Sequence, residues 1–325
     1  DMKTGESQNI SPYPKRNSGG PVGVLKYRFN WNAPIVASPH DPKTIYFGAN
    51  VVFKSIDFGK TWEVISPDLT TNDPEKQKAA GGPAWPENTT AEYHCTIISL
   101  AESPVQPGIL WAGTDDGYLQ VTKNGGESWE NVTANISGLP PNSPVSHIEP
   151  SRASAGKAYV TFDRHMLDDY RPYVFVTTDF GITWKEISKG LPPTAYVWVI
   201  REDPRNPNVL YLGTEVGLFV SFSGGEKWQK LHLANLPTVA VHDILIQLRE
   251  NDLILGTHGR AIWILDDITF LQKLTPEVMA QSVYLFSPRL TYRFAMKPTR
   301  YGIGDKVFRG PNPPYGVLIT YLVNK

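Results

Sequence analysis

Two carboxyl groups that flank a glycosidic bond can cleave it. They must stand about 5–5.5 Å apart for retention of configuration and about 6.5–9.5 Å apart for inversion. The chain carries acids for such chemistry in short polar segments: Glu92, Asp115, Asp116, Asp163, Asp168 and Glu215. Segments of the same kind hold groups suited to binding: Asn50, His94, Arg164, His165, Asp169, His258 and Arg260. Each also has a plainer reading. Asp115-Asp116-Gly117 makes a good hairpin turn, and His258 beside Gly259 can cap one. Asp168 and Asp169 suit solvated loop charges, and His94 between Tyr93 and Cys95 suits half-buried packing. There is no His-x-x-x-His cluster, no cysteine pair and no Gly-x-Ser-x-Gly elbow, so no metal, no cofactor and no serine-hydrolase chemistry is expected.

Something must bring these residues together, and a repeat supplies it. Ser/Thr-x-Asp/Asn/Ser-x-Gly-x-x-Trp occurs as Ser55-Ile-Asp57-Phe-Gly59-Lys-Thr61-Trp62, Thr122-Lys-Asn124-Gly-Gly126-Glu-Ser128-Trp129, Thr177-Thr-Asp179-Phe-Gly181-Ile-Thr183-Trp184 and Ser221-Phe-Ser223-Gly-Gly225-Glu-Lys227-Trp228. This is the Asp-box, or BNR repeat, of β-propellers. The third residue bonds to nearby backbone amides, the glycine accepts positive φ, and the tryptophan opens the next strand with a large apolar face. The box carboxylates are therefore expected to be occupied in the turn rather than free for catalysis. Short β-branched and aromatic runs such as Thr44-Ile-Tyr-Phe-Gly48 and Val209-Leu-Tyr-Leu-Gly213 precede the boxes and read as strands.

The expected fold is all-β: a propeller of four-stranded blades with Asp-box hairpins. Five sets of strands are legible, about Tyr27 to Leu69, Tyr93 to Thr133, Val145 to Ser188, Tyr196 to Leu231 and Val239 to Leu271, the last without its box. Five blades can close alone or belong to a larger ring. Residues 1–272 are assigned to blades, and the Pro-rich 273–325 to an extended tail without blade pattern. If every box joins strands three and four, the turns joining strands two and three point to the opposite face. Asn50, Asp115, Asp116, Glu215, His258 and Arg260 lie in those turns, and the connections carrying Glu92, His94 and 163–171 reach the same face. One channel mouth is thus expected to collect the candidate residues, on loops held by a rigid scaffold.

Composition narrows the classes. A net charge of −1 gives no basic field of the kind that drives nucleic-acid binding. No run of eighteen apolar residues spans a membrane. The lone Cys95 permits no internal disulfide and suits a buried apolar thiol. The opening Asp1-Met-Lys-Thr-Gly-Glu-Ser7 looks like a propeller hairpin turn, and the strand-like Gly316-Val-Leu-Ile-Thr-Tyr-Leu-Val323 calls for a partner. The sequence therefore reads as a piece of a longer protein with a further β-domain.

Several stretches carry a closer resemblance: Tyr27-Arg-Phe-Asn-Trp-Asn32, Ser38-Pro-His-Asp-Pro42, Trp111-Ala-Gly-Thr-Asp-Asp-Gly117, Leu255-Gly-Thr-His-Gly-Arg-Ala-Ile-Trp263 and Gly310-Pro-Asn-Pro-Pro-Tyr-Gly316. With them the chain resembles the sortilin-like, or VPS10-like, BNR-repeat propellers of large bacterial exported proteins, often labelled glycosyl hydrolases. The resemblance implies the second propeller half of a longer chain, a following β-sandwich, and a periplasmic, cell-surface or extracellular location. Sialidases resemble the chain only in the box. Their three carboxylate-binding arginines and Tyr/Glu pair have no counterpart set here, since Arg164, Arg171, Arg201 and Arg260 match by count alone. Tandem-propeller xyloglucanases share the boxes too, without an acid pair that can be placed in this chain. The leading expectation is a binding or scaffold module that recognises a protein, a peptide or a cell-surface glycan on its channel face. The alternatives are a glycoside hydrolase or lyase using a carboxylate pair there, and a structural subunit of an envelope assembly.

Overall fold

The computed structural model describes residues 4–14, 25–78, 93–233, 235–291 and 315–324. Among the described residues, five antiparallel blade sheets follow one another along the chain. Blade one is β1 (Ile35–Ala37), β2 (Ile45–Gly48), β3 (Val52–Ser55) and β4 (Glu63–Val64). Blade two is β5 (Ile97–Glu102), β6 (Leu110–Thr114), β7 (Leu119–Thr122) and β8 (Glu130–Asn131). Blade three is β9 (Val145–Pro150), β10 (Ala158–Phe162), β11 (Tyr173–Thr177) and β12 (Lys185–Glu186), and blade four is β13 (Val197–Glu202), β14 (Leu210–Thr214), β15 (Gly217–Ser221) and β16 (Gln229–Lys230). Among the described residues blade five has three strands, β17 (Val241–Gln247), β18 (Asp252–Thr257) and β19 (Ile262–Leu265). This corrects the four-stranded expectation for the last set. Where the box hairpin would return the chain, Asp267 turns it at φ 51° and accepts from the Thr269 amide, starting helix α1 (Thr269–Gln272).

The boxes work as turns. Asp57 Oδ1 accepts from the Thr61 amide at 2.9 Å, its Oδ2 from the Thr61 hydroxyl at 2.7 Å, and Ser55 Oγ accepts from the Gly59 amide at 2.8 Å. Asp179 and Thr177 repeat the set with Thr183 and Gly181, and Asn124 and Ser223 each accept one amide in the shorter version. The Thr61 amide and hydroxyl, with the Ser55 hydroxyl, hold the Asp57 carboxyl down at about 2. The residue before the glycine also takes positive φ, including Phe58 at 64° and Phe180 at 61°. That backbone is rare for an aromatic residue.

Neighbouring blades pack face to face, and the core lies between them. Trp111, Leu119 and Val121 of blade two meet Val145, Val160 and Phe162 of blade three. Tyr159 and Val174 of blade three meet Ile200, Leu210 and Leu212 of blade four, and Tyr211 and Val220 of blade four meet Val241, Leu253 and Leu255 of blade five. The blades are radial because one sheet alone cannot bury both its faces.

Cys95 is buried as expected, with its thiol pushed up to about 11 by burial, and it sits at φ 60° ahead of β5. A further expectation changes, because the tail is not wholly extended. It contains α2 (Pro276–Met279) and a hairpin in which β20 (Val283–Leu285) pairs with β21 (Tyr321–Val323), so the C-terminal strand finds its partner within this chain.

Candidate functional site

The candidate residues are positioned by one repeated device. Asp115, Asp163, Glu215 and His258 each follow the second strand of their blade. Each amide donates back to the residue at the head of the inner strand: Asp115 to Thr96 O at 3.0 Å, Asp163 to Pro144 O at 3.0 Å, Glu215 to Tyr196 O at 3.2 Å and His258 to Ala240 O at 3.0 Å. Four successive blades thus set one polar side chain each at the same level of the channel mouth. Inner strands β5, β9, β13 and β17 each carry a register shift near that level. In blades four and five the shift sits at Trp198 and His242, and such bulges re-aim a side chain.

These devices assemble a continuous run of rings over blades three to five. Tyr170 lies 6.0 Å from Tyr196 between centroids, and Tyr196 stacks on His165 at 4.7 Å with planes 17° apart. Trp198 lies 5.6 Å from Tyr196 and 5.4 Å from His165, then His242 follows at 3.9 Å and His258 at 4.7 Å beyond it. Two carboxylates back the run. Asp163 accepts the His165 amide at 3.0 Å and contacts His165 Nδ1 at 2.6 Å, while Glu215 accepts from Trp198 Nε1 at 3.3 Å. Glu215 and Asp163 push the Tyr196 hydroxyl upward, behind the larger effect of burial. Burial, helped by neighbouring His258, lowers His242, whose Nε2 has no hydrogen-bond partner among the described residues. A neutral imidazole at that place is therefore the form that fits.

The remaining predicted residues stand apart from this run. Asn50 Oδ1 accepts the Arg28 amide and its amide group donates to Asp68. Asp115 accepts the Thr96 amide and hydroxyl, and it also raises His94, whose Nδ1 lies 3.4 Å away. Asp116 accepts from Thr71 and Thr114 and is buried. Asp169 is not a solvated charge: Arg171, Arg164 and the Tyr173 hydroxyl all donate to it. Arg164 also donates to Pro141 O and Ser143 Oγ, which pins the 164–171 loop to blade two's exit. Asp168 ends the single turn His165–Leu167 at φ 58°, its side chain exposed. Arg260 is exposed and its carbonyl accepts from Trp263 Nε1. Glu92 lies outside the described residues. Among the described residues no group of three or more His, Cys, Asp or Glu is placed to hold a metal ion, and no helix is long and apolar enough to cross a membrane.

Deeper in the ring, the inner strands line a channel of about 550 Å³. Arg201 bridges it, donating to Glu149 at 2.8 Å, Asp243 at 3.2 Å and the Ile244 carbonyl at 2.6 Å. Burial raises the Glu149 carboxyl against the pull of Arg201.

The sequence comparisons agree with this architecture. The BNR/Asp-box repeat family matches residues 175–186, the third box and its strands. An oligoxyloglucan reducing end-specific xyloglucanase of Emericella nidulans is 22% identical over 82% of this chain and 34% of its own length. A probable enzyme of the same description from Neosartorya fischeri is 24% identical over 85% of this chain and 35% of its own. The chain thus spans about a third of the curated relatives that it matches. Among solved structures, the GH74 xyloglucanase from Xanthomonas campestris superposes with a TM-score of 0.54 at 20% identity, covering 71% of this chain and 36% of that one. The chain thus has the β-propeller fold and carries a BNR/Asp-box repeat.

Proposed function

We propose that the channel face binds a carbohydrate. The observation that carries this reading is the run of rings from Tyr170 through Tyr196, His165 and Trp198 to His242 and His258. The C–H faces of a pyranose stack on such rings, and Asp163, Glu215 and the imidazoles offer hydrogen bonds beside them. A largely pre-formed surface with a few placed polar groups is the usual form of a small-ligand site. The likeness to xyloglucanases points to neutral oligosaccharides as the first ligands to try. Calorimetric titration with xyloglucan oligosaccharides tests the reading. Saturable binding that Tyr170→Ala weakens supports it, and no heat with any neutral glycan overturns it.

Glycoside hydrolysis is a second reading, favoured by one observation: Asp163 and Glu215 are the acids that touch the ring run, whereas Asp115, Asp116 and Asp169 are engaged elsewhere. Reducing ends released by the unaltered chain, and lost in both Asp163→Asn and Glu215→Gln, would establish it. Export as a sortilin-like propeller belongs to the same proposal, since a surface glycan is met outside the cytoplasm. Fractionation of the source cells tests that point, and a purely cytoplasmic protein contradicts it.

A further inference from the structure

Blades two and four end their inner strands on the same residue type. Glu102 pairs with Leu110 as Glu202 pairs with Leu210. The next amide then returns to the second strand in both, Ser103 to Ile109 O and Asp203 to Val209 O. Both glutamates are buried, at 6% and 2% exposure, and both reach the blade before them. Their partners differ. Glu202 is engaged on both oxygens by blade three: the Ser151 hydroxyl lies 2.7 and 2.9 Å from them, the Arg152 amide donates at 2.9 Å, and Lys157 Nζ stands 3.3 Å from Oε2. Glu102 Oε1 accepts from the Tyr46 hydroxyl and the Gly108 amide, each at 3.1 Å. Its Oε2 has no hydrogen-bond partner among the described residues.

The blade repeat shows which group makes the difference. Tyr46 and Tyr159 hold one place, since Tyr46 pairs with Val36 and Tyr159 with Glu149 on the inner strands. Two residues earlier, Thr44 matches Lys157: the Ser38 amide donates to Thr44 O as the Ser151 amide does to Lys157 O, both at 2.9 Å. Blade one therefore has a threonine where blade three has its lysine, and the Thr44 hydroxyl is bonded to Asp41 at 2.7 Å. Lys157 forms an ion pair with Glu202, and among the described residues Glu102 has no such pair. A buried carboxylate is ordinarily held by a cation or by a full set of donors.

Glu102 also lines the channel of about 550 Å³. The other acids there have their cation, because Glu149 and Asp243 share Arg201. Arg152, which lines the channel too, acts on Glu149. Pro34, Ile98, Ala101, Ile148 and Pro150 give the channel apolar walls. We infer that the channel binds a primary alkylammonium, whose charged head takes at Glu102 the place that Lys157 holds at Glu202. Its aliphatic stem lies against the apolar walls, as a lysine stem covers apolar surface. Burial, and then Glu102 itself, raise the Tyr46 hydroxyl, so it stays a donor to Oε1 and leaves Oε2 for the ammonium. A free aliphatic amine and the lysine side chain of a peptide share this chemistry. The site is separate from the ring run, which sits at the heads of the inner strands, whereas Glu102 ends β5.

Calorimetric titration with pentylamine and with pentanol, which has the same stem without the charge, tests the inference. Saturable binding of the amine alone is expected. Equal binding of the two, or no binding of the amine at millimolar concentration, overturns it. Glu102→Gln keeps an acceptor for Tyr46 and Gly108 and should weaken the amine by about tenfold or more, the loss expected for a charged hydrogen bond. An unchanged affinity overturns the assignment to Glu102. Thr44→Lys should abolish binding, because it sets an ammonium of the chain's own beside Glu102, and undiminished binding by that folded variant counts against the site. Should either variant fail to fold, the comparison of amine and alcohol on the unaltered chain decides. A capped lysine and its Nε-acetylated form separate the two sources. Binding of the first that acetylation removes supports a peptide side chain as the occupant, and binding of pentylamine without the capped lysine supports a free amine.

Discussion

Asp163 and Glu215 occupy the same place in successive blades. The amide of the first bonds Pro144 O at 3.0 Å and that of the second Tyr196 O at 3.2 Å, so strand geometry rather than local sequence sets their level in the channel mouth. Their side chains then diverge in role, one holding His165 and the other Trp198. The site is therefore a product of the blade repeat, and its chemistry comes from what each blade places at one shared position.

Tyr170→Ala should separate binding from folding. Tyr170 is 46% exposed at the rim of the ring run, so its loss should leave stability within about 0.5 kcal/mol. Affinity for a bound oligosaccharide should fall by about 2- to 13-fold, the range of about 0.5–1.5 kcal/mol for a lost ring contact. Calorimetry and thermal melting on the same preparations check both halves.

His94 and His242 should titrate in opposite directions. His94 is raised by its contact with Asp115, and His242 is lowered by burial. NMR should place the His94 midpoint above about 6.5 and that of His242 below it. Asp115→Asn should bring His94 back down. The linked stability follows in sign. The His94 contribution is full below about pH 6.5 and fades as pH rises through its raised value. That of His242 is present above about pH 6.5 and fades as pH falls.

The stabilising contribution of the box aspartates should be lost in acid. Asp57 is held at about 2, below an ordinary carboxylate, so its contribution is present at neutral pH and is lost as pH falls from about 4 towards 2. Asp57→Ser, which copies the fourth box at Ser223, should flatten that part of the melting-temperature profile while leaving the fold intact. An unchanged profile would show that solvent screens the turn completely.

Gly126→Ala should cost far more than a surface change. The residue has φ 103° and an added Cβ would lie 2.4 Å from Ile65 O of the preceding blade. A penalty of about 2 kcal/mol or more is expected in chemical denaturation. Arg201→Met should cost about 3–5 kcal/mol, because it leaves Glu149 buried beside the channel without its cation. Pairing it with Glu149→Gln should recover part of that loss.

The blade repeat was readable because its physics is local: an Asp or Asn, a glycine and a tryptophan at fixed offsets make the same turn each time. The candidate face was readable for a similar reason, since Gly113-Thr-Asp115, Gly213-Thr-Glu215 and Gly256-Thr-His258 recur as turns. The ring run was not. Trp198 and His242 lie on inner strands, where simple alternation hides a register shift, and only the bulges turn them to the mouth. Tyr170 reaches Tyr196 through a loop whose shape depends on Asp169 gathering Arg164, Arg171 and Tyr173, a contact set that no spacing announces. Repetition offered one signal: Trp198 and His242 occupy matching positions in neighbouring blades. The fifth blade's missing strand was equally hidden, because the lost box was legible but its replacement by a helix start at Asp267 was not.

The most direct test of the carbohydrate reading follows the indole N–H resonance of Trp198 in a nitrogen-labelled sample titrated with xyloglucan heptasaccharide. Trp198 shares its N–H with Glu215 at the centre of the ring run, whereas Trp111 is wholly buried between blades and serves as the internal control. The account predicts a saturable shift of the Trp198 peak with Trp111 unmoved. A Trp198 peak that stays fixed, under this and other neutral oligosaccharides at millimolar concentration, contradicts it.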